Sequence, residues 1–164
     1  MTMNLIDLDI GGAVCPVYRL PRLLDLNAAS RLLRGRRVLV VLGRCLELEK
    51  PWALRELEER FPDAGFVSVC LEAEHVNQVG FKLAGVLARV SNIEEVVAAT
   101  TDGSMHCVQL HYMVEELEKI MPGRFRRRHF VATRGELVEV PPEAVKTSRH
   151  LAKVAKLLEA AQRG

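Results

Sequence analysis

Cysteine, histidine and hydroxyl side chains, which carry out nucleophilic, metal-binding and acid–base chemistry, are concentrated in residues 100–111, TTDGSMHCVQLH. The segment stands between a strand pattern and a helical pattern, so we predict a strand–loop–helix turn. Free backbone amides and the positive end of a helix dipole favour phosphate or carboxylate at such a turn, and a glycine lets the backbone approach the ligand. The sequence therefore predicts a site for a small anionic ligand at Thr101, Asp102, Gly103 and Ser104.

The same composition also has a purely structural interpretation. Asp102 or Ser104 could cap the following helix by accepting a hydrogen bond from a backbone amide. The chain contains no GxGxxG or GxxxxGK[ST] fingerprint, so no nucleotide class is indicated. Capping and anion binding are therefore alternatives for this turn.

A metal site is the second hypothesis. Cys107 and His111 are four residues apart, so they share one face of the predicted helix and could reach one ion. Cys45 follows a predicted strand at the same sheet edge, and the trio Cys45, Cys107 and His111 could hold Zn²⁺ or an iron–sulfur cluster. The chain has no CxxC pair, and structural burial of the cysteines is the favoured alternative.

Thiol chemistry without a metal is a further hypothesis. A helix N-terminus and a neighbouring protonated histidine both stabilise a thiolate, so Cys107 beside His106 could act as a nucleophile or a redox thiol. These two residues are the catalytic candidates. Dispersed cysteines and histidines are common by chance, so the sequence leaves open whether the protein is an enzyme.

The elements that must position these residues alternate along the chain. Apolar runs predict buried strands at 38–42, 66–71 and 93–99, and helical periodicity predicts helices at 22–34, 51–61, 77–89 and 105–121. Strands separated by helices indicate βαβ units and hence a three-layer α/β sandwich with a mainly parallel sheet, flavodoxin-like or Rossmann-like. Ligands in such folds bind outside the carboxyl ends of the strands, which adds Gly43 and Arg44 to the predicted ligand-binding residues.

Both ends of the chain show a different pattern. Residues 3–19 predict a short strand or hairpin that turns at Gly11 and Gly12. Residues 130–133 and 136–140 predict an antiparallel hairpin, and Pro141 and Pro142 begin a helix that runs to the C-terminus. We find no linker or repeat, so we predict one domain over residues 1–164.

Composition limits the location and the partners of the protein. The chain has 164 residues, 49% of them hydrophobic and 27% charged, which is typical of a globular domain. The longest apolar run, 38–42, is far shorter than the roughly 18 residues of a transmembrane helix. The N-terminal residues lack a signal-peptide pattern, so we expect a cytoplasmic protein with reduced thiols and no membrane partner.

The basic residues 124–129, RFRRRH, give a third hypothesis, an interaction protein that uses its basic C-terminal region. The net charge is only +2, and the acidic stretch at 115–118 precedes the cluster, so a solvated or salt-bridged surface is favoured over nucleic acid. The leading prediction is a small-ligand-binding α/β domain, and the alternative is a metal- or thiol-dependent enzyme or electron-transfer accessory. Oligomeric state and ligand identity are left open.

Overall fold

The structure is a computed structural model that describes residues 8–10, 13–15 and 17–163. Near the N-terminus, β1 (Leu8–Ile10) and β2 (Ala13–Cys15) pair antiparallel, which confirms a hairpin. The predicted glycine turn between them and residues 3–7 lie outside the described residues.

A five-stranded sheet forms the centre of the molecule. Its strands are β3 (Val38–Gly43), β4 (Gly65–Val69), β5 (Glu95–Thr101), β6 (Arg126–Ala132) and β7 (Leu137–Val140), in the order β4-β3-β5-β6-β7. The first four are parallel and β7 is antiparallel to β6. β3 pairs on both edges and is buried from Leu39 onward, as a run of apolar residues without alternation predicts.

Helices cover both faces of this sheet. The helices of the described residues are α1 (Leu46–Glu49), α2 (Pro51–Arg60), α3 (Val76–Arg89), α4 (Val108–Ile120), α5 (Pro142–Ser148) and α6 (Leu151–Arg163). α6 buries none of its residues and lies outside these layers. One apolar core joins a sheet face to α3 and α4, and a second core joins the opposite face to α1 and α2. The result is the predicted three-layer α/β sandwich. None of the helices among the described residues combines the length and hydropathy needed to cross a bilayer.

The prediction of a helix at residues 22–34 is wrong. This segment contains one short 3-10 helix, Leu23–Asp25, followed by turns. The Pro21 carbonyl accepts a hydrogen bond from the Ser68 amide at the edge of β4, which holds the chain extended just before residue 22. Further on, the Asn27 side chain accepts a hydrogen bond from the Ala29 amide at 2.9 Å and replaces a helical bond with a local turn.

The C-terminal region differs from the prediction in two ways. The final helix is interrupted around His150, which separates α5 from α6. β6 begins at Arg126, four residues before the predicted start, so most of the basic cluster lies in the sheet. Its arginines pair with carboxylates: Arg127 with Glu115, and Arg128 with Glu139. The salt-bridged arrangement favoured from the sequence is therefore present.

Candidate functional site

The candidate site lies where the chain reverses its direction across the sheet. From β3 the chain passes through α1 and α2 to the outer strand β4, whereas from β5 it passes through α4 to β6 on the other side. Neighbouring strands therefore send their following loops to opposite faces, which opens a crevice at their carboxyl ends. Gly43 and Thr100 face each other there, and a Cβ atom on Gly43 would lie 3.5 Å from the Thr100 Cα atom.

The loop after β5 has the conformation that the glycine predicts. Gly103 has φ of +81°, in the left-handed region, and the space around its missing Cβ is open. Ser104 accepts a hydrogen bond from the Cys107 amide through its hydroxyl at 3.2 Å, and its carbonyl accepts one from the Val108 amide at 3.1 Å. Ser104 therefore caps α4. Among the described residues, the amides of residues 103–106 have no acceptor.

Arg44 brings a positive charge to the same sheet edge. Its amide donates to the Val69 carbonyl at 2.7 Å, which extends the pairing of β3 with β4 by one residue. Its guanidinium stacks over the Tyr18 ring, with the Cζ atom 4.2 Å from the ring centroid. Within the described part of the chain, no carboxylate lies at ion-pair distance from Arg44. The charge is thus held by an aromatic ring and is not neutralised by an acidic side chain.

Two of the predicted cysteines meet at this edge. Cys45 and Cys107 shift each other's pKa through a hydrogen-bond interaction between their thiols, and neither residue is in a disulfide. This bond lowers the pKa of Cys107 to about 6, against the opposing effect of burial, and Ser104, the Thr101 backbone and the His106 charge act in the same direction as the bond. The pKa of Cys45 is raised because it donates to Cys107 and is partly buried. Cys107 is therefore the thiolate of the pair and Cys45 the donor.

His111 does not join the two cysteines. Its Nε2 atom lies 2.8 Å from the Thr100 hydroxyl and its Nδ1 atom lies 3.0 Å from Nδ1 of His129. Among the described residues, no three His, Cys, Asp or Glu side chains are placed so that they could hold a metal ion. The i, i+4 spacing correctly puts Cys107 and His111 on one side of α4, but the imidazole is engaged by other partners. The trio Cys45, Cys107 and His111 is thus not gathered into one ligand set.

A buried chain of polar side chains replaces the predicted metal contact. It runs from Thr100 through His111 and His129 to Glu115, whose Oε1 atom lies 2.9 Å from Nε2 of His129. All four residues are at least 97% buried. Sequence reasoning missed this chain, although His111 and Glu115 stand at i, i+4 on the apolar face of α4.

Hydrogen-bond donors and acceptors in this chain follow from the charge of Glu115. Burial raises the pKa of Glu115, but hydrogen bonds from Arg127 and His129 outweigh burial and lower it, so the side chain is a carboxylate. His129 must then donate from Nε2 and, being neutral, accept at Nδ1. His111 consequently donates from Nδ1 and accepts at Nε2 from the Thr100 hydroxyl. The proton positions are therefore all determined from the carboxylate to the end of β5.

We expect the two buried histidines to make the protein less stable as the pH falls below about 6.5. Burial lowers the pKa of His111 to about 3, and it lowers the pKa of His129 as well. Between the unfolded and folded pKa values only the unfolded chain takes up these protons, so the free energy of unfolding falls with pH, by up to about 1.4 kcal/mol per pH unit for each histidine. Urea unfolding between about pH 7 and about pH 5 measures this slope.

The variant His111→Leu is expected to reduce that slope by about half, because one of the two neutral histidines is gone. His75 is exposed at the start of α3, and His75→Gln is the matched control. A pH dependence that is the same in the wild type and in His111→Leu would contradict this account.

An apolar groove lies away from this edge of the sheet. It has a volume of about 690 Å³ and runs between α3 and α4, lined by apolar residues that include Phe81, Met113 and Ile120. None of the predicted site residues lines it. The candidate site is therefore identified by the loops after β3 and β5, the two thiols and the charge of Arg44, and not by this groove.

Comparisons with known proteins bear on the fold of the same region. A family model described as a Rossmann-like domain matches residues 30–163. No curated protein and no solved structure matches the chain. The matched range contains the whole five-stranded sheet and every residue predicted for the site.

Proposed function

From the premise that this chain belongs to the Rossmann-like domain family, we propose that it binds a small ligand by an anionic group, phosphate or carboxylate, at the carboxyl edge between β3 and β5. The observation that carries the proposal is the row of backbone amides at residues 103–106, which have no acceptor among the described residues. The row begins at Gly103, whose φ is positive, and lies just before α4. Such amides and the helix dipole are complementary to a negative charge.

Arg44 supports the same proposal from the opposite loop. Its side chain is fixed over Tyr18 and has no carboxylate partner in the described part of the chain, so its charge is available to a ligand. Ser104 already caps α4, yet its hydroxyl satisfies only the Cys107 amide. Capping therefore accounts for one amide of this turn, and anion binding would account for those that precede it.

The direct test is a titration of the protein with inorganic phosphate and with adenosine mononucleotides, followed by amide NMR shifts. We expect shifts that saturate at residues 103–107, and we expect Arg44→Gln to weaken binding by about tenfold, the loss of one charge-assisted hydrogen bond. No shift in this loop at millimolar phosphate or nucleotide would contradict the proposal.

The variant Gly103→Val separates the ligand site from the fold. Valine is disfavoured at φ of +81°, so the loop should leave its present conformation and the affinity for phosphate should fall. Gly35 has φ of +82° and open space around it, and it lies at the opposite edge of the sheet, just before β3. Gly35→Val therefore carries a similar backbone penalty, and we expect it to bind phosphate as the wild type does.

A further inference from the structure

We infer that Cys45 and Cys107 form a reversible disulfide by exchange with small-molecule disulfides, which makes this sheet edge a thiol–disulfide exchange site. The inference concerns covalent chemistry and does not depend on whether an anion binds to the neighbouring amides. Its basis is the placement of two reduced cysteines at one sheet edge on different loops, one after β3 and one after β5, with Cys107 Sγ 3.6 Å from the Cβ position of Gly43.

The two strands that carry these loops end side by side. Parallel strands are spaced by about 4.8 Å, which falls within the roughly 4.4–6.8 Å that separates the Cα atoms of a disulfide. Cys45 lies two residues beyond the end of β3, and Cys107 lies six residues beyond the end of β5. β3 and β5 are direct neighbours, and Cys107 Sγ lies 3.6 Å from the Cβ position of Gly43, two residues before Cys45. Cys45 precedes the single-turn helix α1, where a small shift disturbs few backbone hydrogen bonds.

The position of each cysteine assigns it a different role. Cys107 stands at the N-terminus of α4, where the helix dipole stabilises a thiolate. Cys45 precedes the four-residue helix α1, whose dipole is much smaller. Cys107 is therefore the attacking thiolate and Cys45 the resolving thiol. The pKa of Cys107 is lowered and that of Cys45 is raised, which supports this order.

The exchange has two steps. The Cys107 thiolate attacks one sulfur of a disulfide RSSR, forms a mixed disulfide and releases the thiolate RS⁻. Cys45 then loses its proton and attacks the Cys107 sulfur, which forms the Cys45–Cys107 bond and releases the second RS⁻; one of the two released thiolates takes up the proton. The protein loses two electrons and RSSR gains two, and the reverse sequence regenerates the dithiol.

The test is to equilibrate the reduced, full-length protein with oxidised glutathione, alkylate the remaining thiols and map the cysteines by mass spectrometry. We expect one intramolecular disulfide between Cys45 and Cys107, with Cys70 alkylated, and we expect excess reduced glutathione to reverse it. Mapping distinguishes this bond from any bond to Cys15. A wild-type protein that keeps glutathione on Cys107, or that joins a different pair, would overturn the inference.

Single variants test the order of the two steps. In Cys45→Ser the mixed disulfide with glutathione should accumulate on Cys107, because the resolving thiol is absent. In Cys107→Ser, glutathione should attach to Cys45 more slowly than it attaches to Cys107 in Cys45→Ser, because burial still raises the pKa of Cys45 and Cys45 is not at the N-terminus of α4. Cys70→Ser is the matched control and should form the Cys45–Cys107 bond at the wild-type rate. Faster modification of Cys45 than of Cys107 would reverse the assignment, and wild-type mapping decides the pairing even if a variant does not fold.

Discussion

Replacing Val40 with aspartate is expected to unfold the protein. Val40 lies in β3 between Phe66 of β4 and Val97 of β5, and its side chain is fully buried. It packs into the core that α2 shares with the sheet, among apolar side chains such as Leu54, Leu57 and Val97. Burying such a group costs several kcal/mol, against a total stability of roughly 5–15 kcal/mol for a domain.

Circular dichroism and urea unfolding measure this effect, and an edge strand supplies the control. Val138 is half-buried in β7, which is the outer strand of the described sheet and pairs with β6, so Val138→Asp makes the same chemical change at the border of the sheet. We expect Val138→Asp to stay folded at a urea concentration where Val40→Asp is already unfolded. If the two variants had the same unfolding midpoint, β3 would not be an interior strand in solution.

The strands of the sheet could be predicted because their signal is local. Val38–Leu42 has no polar face, so it fits only a strand that is covered on both sides. The segment 22–34 has leucines at helical spacing, yet its conformation is decided by Ser68, which is distant in sequence and pairs with the Pro21 carbonyl. Periodicity shows which residues are buried, as Leu23 and Leu33 are, but it does not show what the backbone pairs with.

The candidate site could also be predicted only in part, because local patterns do not show which distant residues are partners. Cys45 and Cys107 are predicted at one sheet edge because each follows a strand, and Cys107 Sγ lies 3.6 Å from the Cβ position of Gly43, two residues before Cys45. Helical spacing predicts on which face of α4 the His111 side chain lies, but it does not predict which residue the side chain binds. That partner, His129, depends on the register between β5 and β6, which begins inside a basic run that resembles a surface loop.

The end of β5 connects the thiol pair to the buried polar chain. Thr100 donates to His111 on the side of α4, while its Cγ2 atom lies 3.5 Å from the Cβ position of Gly43 on the side of β3. The next residue, Thr101, interacts through its backbone with Cys107. The hydrogen bonds of the polar chain therefore hold the end of β5, next to the candidate site, in place. The charge of Glu115 in turn determines the direction of every hydrogen bond in the chain.

Replacing Glu115 with leucine is accordingly expected to lower the free energy of unfolding by about 3–5 kcal/mol, the cost of breaking a buried ion pair from one side. The carboxylate accepts from Arg127 and His129, and Lys146 lies 3.5 Å from its second oxygen. Without it, the fully buried His129 keeps an unsatisfied Nε2 proton. Glu116→Leu is the matched control, because Glu116 is 56% exposed and should change the stability by no more than about 0.5 kcal/mol.

A second substitution tests whether the stability lost in Glu115→Leu comes from leaving the Arg127 charge without Glu115 or from a change in packing. Adding Arg127→Met to Glu115→Leu removes a guanidinium that has lost Glu115 and keeps the longer contact with Glu118, at 3.9 Å. The methionine keeps an apolar side chain on β6, and such paired replacements are often close to neutral. We expect urea unfolding to show that the double variant regains a large part of the stability lost in Glu115→Leu. If the double variant is less stable than Glu115→Leu, the guanidinium stabilises the fold through contacts other than Glu115, and the ion pair is not what makes Glu115 important.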